Sequence, residues 1–186
     1  VAALLEEGDP NGDAIGAVVV EPVQGRAGVR VAPEGYMASL SALAHRAGAV
    51  VIADEIFTGM GRCGALYASE RVGLEPDVVC LGKALGGGLP LSACLGRPEV
   101  MEAWPASAGE AIHTSTFLGH PLACAAGLAV LEAMESEDVA GRAEVLGCRL
   151  VEALRAALGR IEGVADIRGL GLMLGMYSRP TEPTVK

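Results

Sequence analysis

Asp77-Val78-Val79-Cys80-Leu81-Gly82-Lys83-Ala84-Leu85-Gly86-Gly87-Gly88-Leu89-Pro90 decides how the rest of the chain is read. A short apolar run ends on a lone lysine, and that lysine opens a glycine-rich turn. The only other lysine is Lys186. The apolar run predicts a buried strand, and Gly86-Gly87-Gly88 lets backbone approach closely. Such a strand delivers one amine to its carboxyl end. A lysine amine in an apolar surround can attack a carbonyl and form a Schiff base. A solvated lysine on a surface turn is the plain alternative, and the buried strand leading into Lys83 favours the reactive reading.

Two similar runs lie upstream. Ala17-Val18-Val19-Val20 ends at Glu21-Pro22, and Ala49-Val50-Val51-Ile52-Ala53 runs straight into Asp54-Glu55. Continuous apolar runs predict strands buried on both faces, as in parallel sheets, and Pro22 stops the first. Between them, residues 23–32 read as a loop, and residues 33–47 as a helix. Met37, Leu40, Leu43, Ala44 and Ala47 fall on one helical face, and Gly48 ends it. Residues 1–7 read as the end of a helix and residues 8–13 as a loop.

Downstream of the lysine, residues 91–95 return too quickly for a parallel crossover and predict an antiparallel strand. Residues 56–67 are loop-like, residues 68–72 a weak helix, and residues 103–116 irregular. The alanine-rich stretch 121–134 predicts a buried helix. After a charged break at 135–138, residues 139–161 predict an amphipathic helix with Val145, Leu146, Leu150, Leu154 and Leu158 inward. Residues 164–167 and 170–177 read as strands. The pattern predicts an α/β fold with a mainly parallel sheet. It divides into a larger unit, 1–135, and the beginning of a smaller α+β unit, 136–186.

Composition narrows the function. Of 186 residues, 51% are hydrophobic, enough for a large core, and charges interrupt every apolar stretch before it could span a bilayer. A net charge of −9 argues against a nucleic-acid surface. The five cysteines include no C-x-x-C pair, which argues against zinc. They read as small buried hydrophobes in a reducing, cytoplasmic setting. With no initiator methionine, no signal peptide and no closing element at Thr184-Val185-Lys186, the sequence reads as a piece of a longer chain.

Glu21, Asp54 and Lys83 each follow the carboxyl end of a predicted strand. In open α/β sheets ligands bind outside those ends, so three ionisable groups converge on one crevice. Asp54, at the end of an apolar strand, needs a partner to stay ionised. A pyridinium nitrogen is one such partner, and a turn or helix cap is the alternative. Glu21 before Pro22 says little alone, and His113-Thr114-Ser115-Thr116 offers hydroxyls for a phosphate. Gly59-Met60-Gly61-Arg62-Cys63-Gly64 matches G-x-G-x-x-G. However, Asp54 to Thr58 intervene after the strand and no helix opens at Gly64, so the match is accidental. Gly82-Lys83 is no Walker lysine, because Ala84 stands where Ser or Thr is required.

Together these motifs resemble the class III aminotransferases, the ω-type branch of the fold-type I pyridoxal phosphate enzymes. The matching stretches are Glu21-Pro22-Val23-Gln24-Gly25, Asp54-Glu55-Ile56-Phe57-Thr58-Gly59-Met60-Gly61-Arg62, Gly82 to Pro90, and Thr116-Phe117-Leu118-Gly119-His120-Pro121. They occur in order over nearly the whole chain. The resemblance implies the three-layer, mainly parallel sheet of that family's large domain. It implies a ping-pong transfer of an amino group from an amino acid or ω-amine to an oxo acid through a lysine aldimine. It makes Lys83 the aldimine lysine and proton carrier, and Asp54 the partner of the pyridine nitrogen. Ile56 would pack on the ring, and Glu21 would be an acid close to it. Thr116, with Ser115, would bind the phosphate of a neighbouring subunit in a homodimer, and His113 would sit near that loop.

Departures from the family pattern also carry expectations. Arg26 replaces a frequent glutamate and either binds a substrate carboxylate or is a solvated loop residue. Phe57 stands where several members place a glutamine, and Leu118 and His120 replace a commoner glycine and asparagine. Family members are about twice this length, so the resemblance makes this the lysine-bearing half. An aminomutase or decarboxylase of the same fold, or a non-catalytic fragment, are the competing readings.

Overall fold

The computed structural model of the chain describes residues 1–106, 108–109 and 113–178. Ala17–Val20 forms β1, Val23–Gln24 and Arg30–Val31 the short β2 and β3, Val50–Asp54 β4, Val78–Leu81 β5 and Ala93–Gly96 β6. Valine-rich runs favour the pleated, half-buried surface of a sheet. The sheet order is β1-β4-β5-β6. β1, β4 and β5 are parallel, and β6 returns antiparallel beside β5. Asp54 stands opposite Cys80, and Cys80 opposite Cys94.

The helices are α1 (Ala2–Glu7), α2 (Tyr36–Arg46), α3 (Ala68–Val72), α4 (Pro98–Met101), α5 (Pro121–Ser136) and α6 (Val139–Leu158). Met37, Leu40 and Ala44 of α2 pack on Val51 and Ala53 of β4, which have no exposed surface, and on Leu74. A second cluster, Met60, Leu81 and Leu85, joins the end of β5 to Val130 and Met134 of α5. The long α5 therefore lies over the turn that carries Lys83. Strands β7 (Val164–Leu170) and β8 (Met173–Ser178) form a hairpin against α6 and β3.

The hairpin is seated by two glycines in close approach. Gly171 (φ 56°) occupies its tip, and a Cβ there would lie 2.5 Å from the Cys63 carbonyl carbon. Gly147 of α6 faces the same tip, and a Cβ on it would collide with the Gly171 carbonyl. A backbone hydrogen bond from Leu172 N–H to Arg62 O (2.9 Å) completes the seat.

Several expectations are corrected. β1 is not buried on both faces: it is the edge of this sheet, and Val19 is 68% exposed. The stretch 23–32 is a two-stranded hairpin, because Gly28 (φ 96°) and Val29 (φ 49°) reverse the chain between two short β-forming pairs. The helix predicted from 33 starts at Tyr36, since Gly35 is left-handed (φ 75°) and Pro33 belongs to the preceding turn. On that helix Leu43 is only half-buried and Ala47 is exposed.

α5 buries only Ala123 and Gly127, while Leu122, Leu128 and Leu131 are exposed. A helix apolar all round has more apolar surface than one neighbouring layer can cover. On α6, Val145, Leu146 and Leu150 are exposed and Leu154 and Leu158 only half-buried; the buried positions are Ala143 and Gly147. Close backbone approach selected the small-residue face rather than the leucine face. Of the cysteines only Cys63 is buried; Cys94 and Cys148 are exposed. Among the described residues, no helix is long and apolar enough to cross a membrane.

Candidate active site

Leu81 ends β5 as a buried anchor, and the chain turns at Gly82 into the single 3-10 turn Lys83–Gly86. Lys83 takes φ 45°, in the left-handed region. A non-glycine residue there is strained, and such strain persists where surrounding structure over-determines it. Lys83 lines the cavity at the end of the sheet. Its Nζ lies 4.5 Å from the centre of the Phe57 ring, within cation–π range. Lys83 is exposed, so its surround is not the enclosed apolar one expected. The aromatic face supplies one apolar wall, and the other sides are open.

Lys83, Ile56, Phe57 and Arg62 line a cavity of about 490 Å³, together with Leu172 and Met173 of the β7–β8 hairpin. Asp54 ends the neighbouring strand, and its Oδ1 accepts the Ile56 N–H (3.1 Å). That bond turns the chain sharply out of the sheet and aims Ile56 into the cavity. Asp54 itself is half-buried and does not line the cavity among the described residues. It lies one position back on the sheet, in the row of Cys80.

Glu55 is the residue that sequence reasoning passed over. It is 1% exposed. Its Oε1 accepts the Ser69 N–H (2.7 Å) and hydroxyl (2.5 Å), and its Oε2 accepts the Ala68 N–H (3.1 Å) and the Thr58 hydroxyl. The start of α3 has no cap of its own, so Glu55 caps it from across the loop. This ties residues 56–67 back to the end of β4. Thr58 at the third position after Glu55, with Ser69 in the first turn of the next helix, was the available signal. Arg62 belongs to the quoted Asp54–Arg62 stretch without a role of its own, and Leu172 and Met173 had no signal, because the hairpin brings them in from distant sequence.

The remaining candidates are dispersed. Glu21 is half-buried and its Oε2 accepts the Gly25 N–H (2.9 Å), bracketing β2 from either end. His113, Ser115 and Thr116 are exposed ahead of α5 and do not line the Lys83 cavity. In the same segment, His120 Nδ1 accepts the Ala123 N–H (3.3 Å) and caps α5. Arg26 is exposed and outside the cavity lining. The Gly59 to Gly64 stretch consists of turns, and the next helix starts at Ala68, so it is no dinucleotide loop.

The donor set fits an aromatic aldehyde carrying a basic ring nitrogen. A primary amine opens on the cavity, a carboxylate ends the adjacent strand, and an aliphatic side chain between them offers a flat apolar contact. The profile described as Aminotransferase class-III matches residues 2–184. This chain belongs to the class III aminotransferases.

Relatives of this aminotransferase chain span several activities. It is 42% identical over 168 residues to the acetylornithine aminotransferase of Methanothermobacter thermautotrophicus, covering 90% of this chain and 42% of that protein. It is 39% identical to the leucine/methionine racemase of Thermococcus litoralis, covering 91% and 38%. Among solved structures, the ornithine aminotransferase of Toxoplasma gondii superposes with a TM-score of 0.84 at 37% identity, covering 96% of this chain and 41% of that one. An (S)-enantioselective ω-transaminase from Thermomicrobium roseum gives 0.85 at 33% identity, covering 95% and 39%. The fold is thus that of the fold-type I aminotransferases, α/β with a mixed, mainly parallel sheet. The class III family is pyridoxal phosphate-dependent. The chain spans about two fifths of the length of these relatives.

Proposed function

We propose that this chain is the lysine-bearing part of a pyridoxal phosphate-dependent aminotransferase. In this reading residues 1–135 are the later part of the cofactor-binding domain and residues 136–186 the beginning of the small domain. The enzyme moves an amino group from an amino acid or ω-amine to an oxo acid in two half-reactions, as a cytoplasmic homodimer. The observation that carries the reading is Lys83, held at the end of β5 on the edge of a cavity, one strand from Asp54.

Bound pyridoxal phosphate supplies an electron sink for the charge left when a proton leaves the substrate carbon. Lys83 provides the amine that binds the cofactor aldehyde. With the cofactor bound, the free Lys83 amine would be the base that takes up the proton leaving the substrate carbon. Asp54 holds a proton on the ring nitrogen, which keeps the sink effective. Ile56 packs on the ring. Phe57, in contact with the Lys83 ammonium, holds the amine at the cavity edge between these tasks. Ser115 and Thr116, exposed and outside the lining of this cavity, offer hydroxyls for the phosphate bound by a second subunit in this reading.

The test uses the full-length protein. Incubation with pyridoxal phosphate and reduction with borohydride attaches the cofactor mass to Lys83, and Lys83→Ala removes it. Attachment elsewhere, or none, overturns the reading of Lys83.

The racemase relative gives a second reading a specific footing. A racemase inverts a single amino acid with no oxo acid present, whereas an aminotransferase stops after one half-reaction. Chiral chromatography of one amino acid incubated alone separates the two.

A further inference from the structure

β5 and β6 place Cys80 and Cys94 directly opposite each other. The Cys80 carbonyl accepts the Glu55 N–H at 3.0 Å on the β4 side. In a regular strand the N–H and C=O of one residue point to the same neighbour. Cys80 therefore turns its peptide groups away from β6, and Cys80–Cys94 is a non-hydrogen-bonded pair. In such pairs the Cα atoms stand about 4.5 Å apart, inside the span of about 4.4–6.8 Å that a disulfide bridges. As directly opposed residues, the two side chains share one face of the sheet. Cys94 is exposed and Cys80 half-buried. The other thiols with a recorded sulfur contact face elsewhere: Cys63 lies 3.8 Å from the Met173 sulfur, and Cys148 lies 3.8 Å from Glu144.

We propose that Cys80 and Cys94 form a reversible dithiol–disulfide site, oxidised by a small disulfide such as oxidised glutathione, on the sheet row that carries Asp54. Disulfides in reducing compartments are characteristically transient or redox-sensing. Asp54, opposite Cys80, and Lys83, three residues beyond it, put the site against the cofactor-facing end of the sheet.

The exchange proceeds in two steps. The Cys94 thiol loses its proton, and its sulfur attacks one sulfur of oxidised glutathione. The glutathione disulfide breaks, and one glutathione leaves and takes up a proton. The Cys80 thiol then loses its proton and attacks the Cys94 sulfur, releasing the second glutathione. Two protein thiols are oxidised, with loss of two electrons and two protons, and one glutathione disulfide is reduced to two thiols. Burial, with the neighbouring Cys94 and Asp54, raises the Cys80 thiol above its ordinary value. Exposed Cys94 is accordingly the first attacker. The row is not a metal centre: among the described residues, no group of three His, Cys, Asp or Glu side chains could hold an ion.

The test treats the full-length protein with oxidised glutathione, alkylates the remaining thiols and digests without reduction. The expected product is a Cys80–Cys94 linked peptide pair, lighter by two hydrogens than the separate thiols and restored by dithiothreitol. The pair survives in Cys148→Ser and disappears in Cys94→Ser, where Cys80 is alkylated. Arrest at a Cys94–glutathione mixed disulfide with Cys80 still alkylated overturns the proposal. So does a link from Cys94 to any other cysteine.

Discussion

The Lys83 ammonium lies 4.5 Å above the centre of the Phe57 ring, on a residue whose own backbone is left-handed (φ 45°). A side chain in that conformation costs on the order of 1–2 kcal/mol. Glycine avoids the cost and adds some unfolded-state entropy. Lys83→Gly is therefore expected to raise stability by about 1 kcal/mol while abolishing covalent capture of the cofactor. Urea denaturation of the variant measures the first effect. A loss of stability would show that the cation–π contact outweighs the strain.

Glu55 satisfies four donors inside the protein. Leaving buried donors of this kind unpaired costs about 1–3 kcal/mol apiece. Glu55→Ala is expected to destabilise by that order and to release the 56–67 loop from β4. Hydrogen exchange at Ala68 and Ser69 reads the release directly. Protection equal to that of the native protein would show that α3 is capped some other way.

Gly147 leaves no room between α6 and the hairpin tip at Gly171. Gly147→Ala forces the two backbones apart, and overpacking of this kind costs about 1–3 kcal/mol, more than the gain in helix propensity of about 1 kcal/mol. The expected result is a lower thermal midpoint, with hydrogen exchange raised in residues 164–178 before the rest. A higher midpoint would mean that the hairpin shifts freely.

Asp77 sits at the opposite end of the sheet from the cavity. Its Oδ2 accepts the Val51 N–H (2.8 Å) and pairs with His45 Nε2 (3.0 Å), and Arg97 Nε lies 3.4 Å from its Oδ1. Burial alone would raise this carboxyl, but the Val51 bond, His45 and Arg97 outweigh it and hold it below its ordinary value. A carboxyl lowered on folding contributes its full stability above the unfolded value of about 3.9, and loses it as pH falls through the folded value. Asp77→Asn is expected to be less stable near neutrality, with the gap closing in acid. A gap that stays constant down to about pH 2 would remove Asp77 from the acid response.

The order of elements was legible because each carried a local signal. β5 and the turn after it follow from a valine run meeting glycines. β6 had to be antiparallel because too few residues separate it from β5. α3 was predicted at its observed bounds. The burial of α5 and the inward face of α6 were misread because composition and periodicity report which residues are apolar, not which neighbour arrives. On α6 the hairpin came in over Ala143 and Gly147, where backbones can approach, and left Val145, Leu146 and Leu150 outside.

By itself the sequence determined the strand ends and hence the positions of Asp54, Ile56 and Lys83, since these depend on residues adjacent in the chain. Only the tertiary structure decided what meets them. Glu55 reaching α3, Met173 and Leu172 lining the cavity, and Cys94 opposite Cys80 are contacts between distant segments. Such contacts are selected by burial and close approach in three dimensions, and a one-dimensional pattern does not encode which partner will be present.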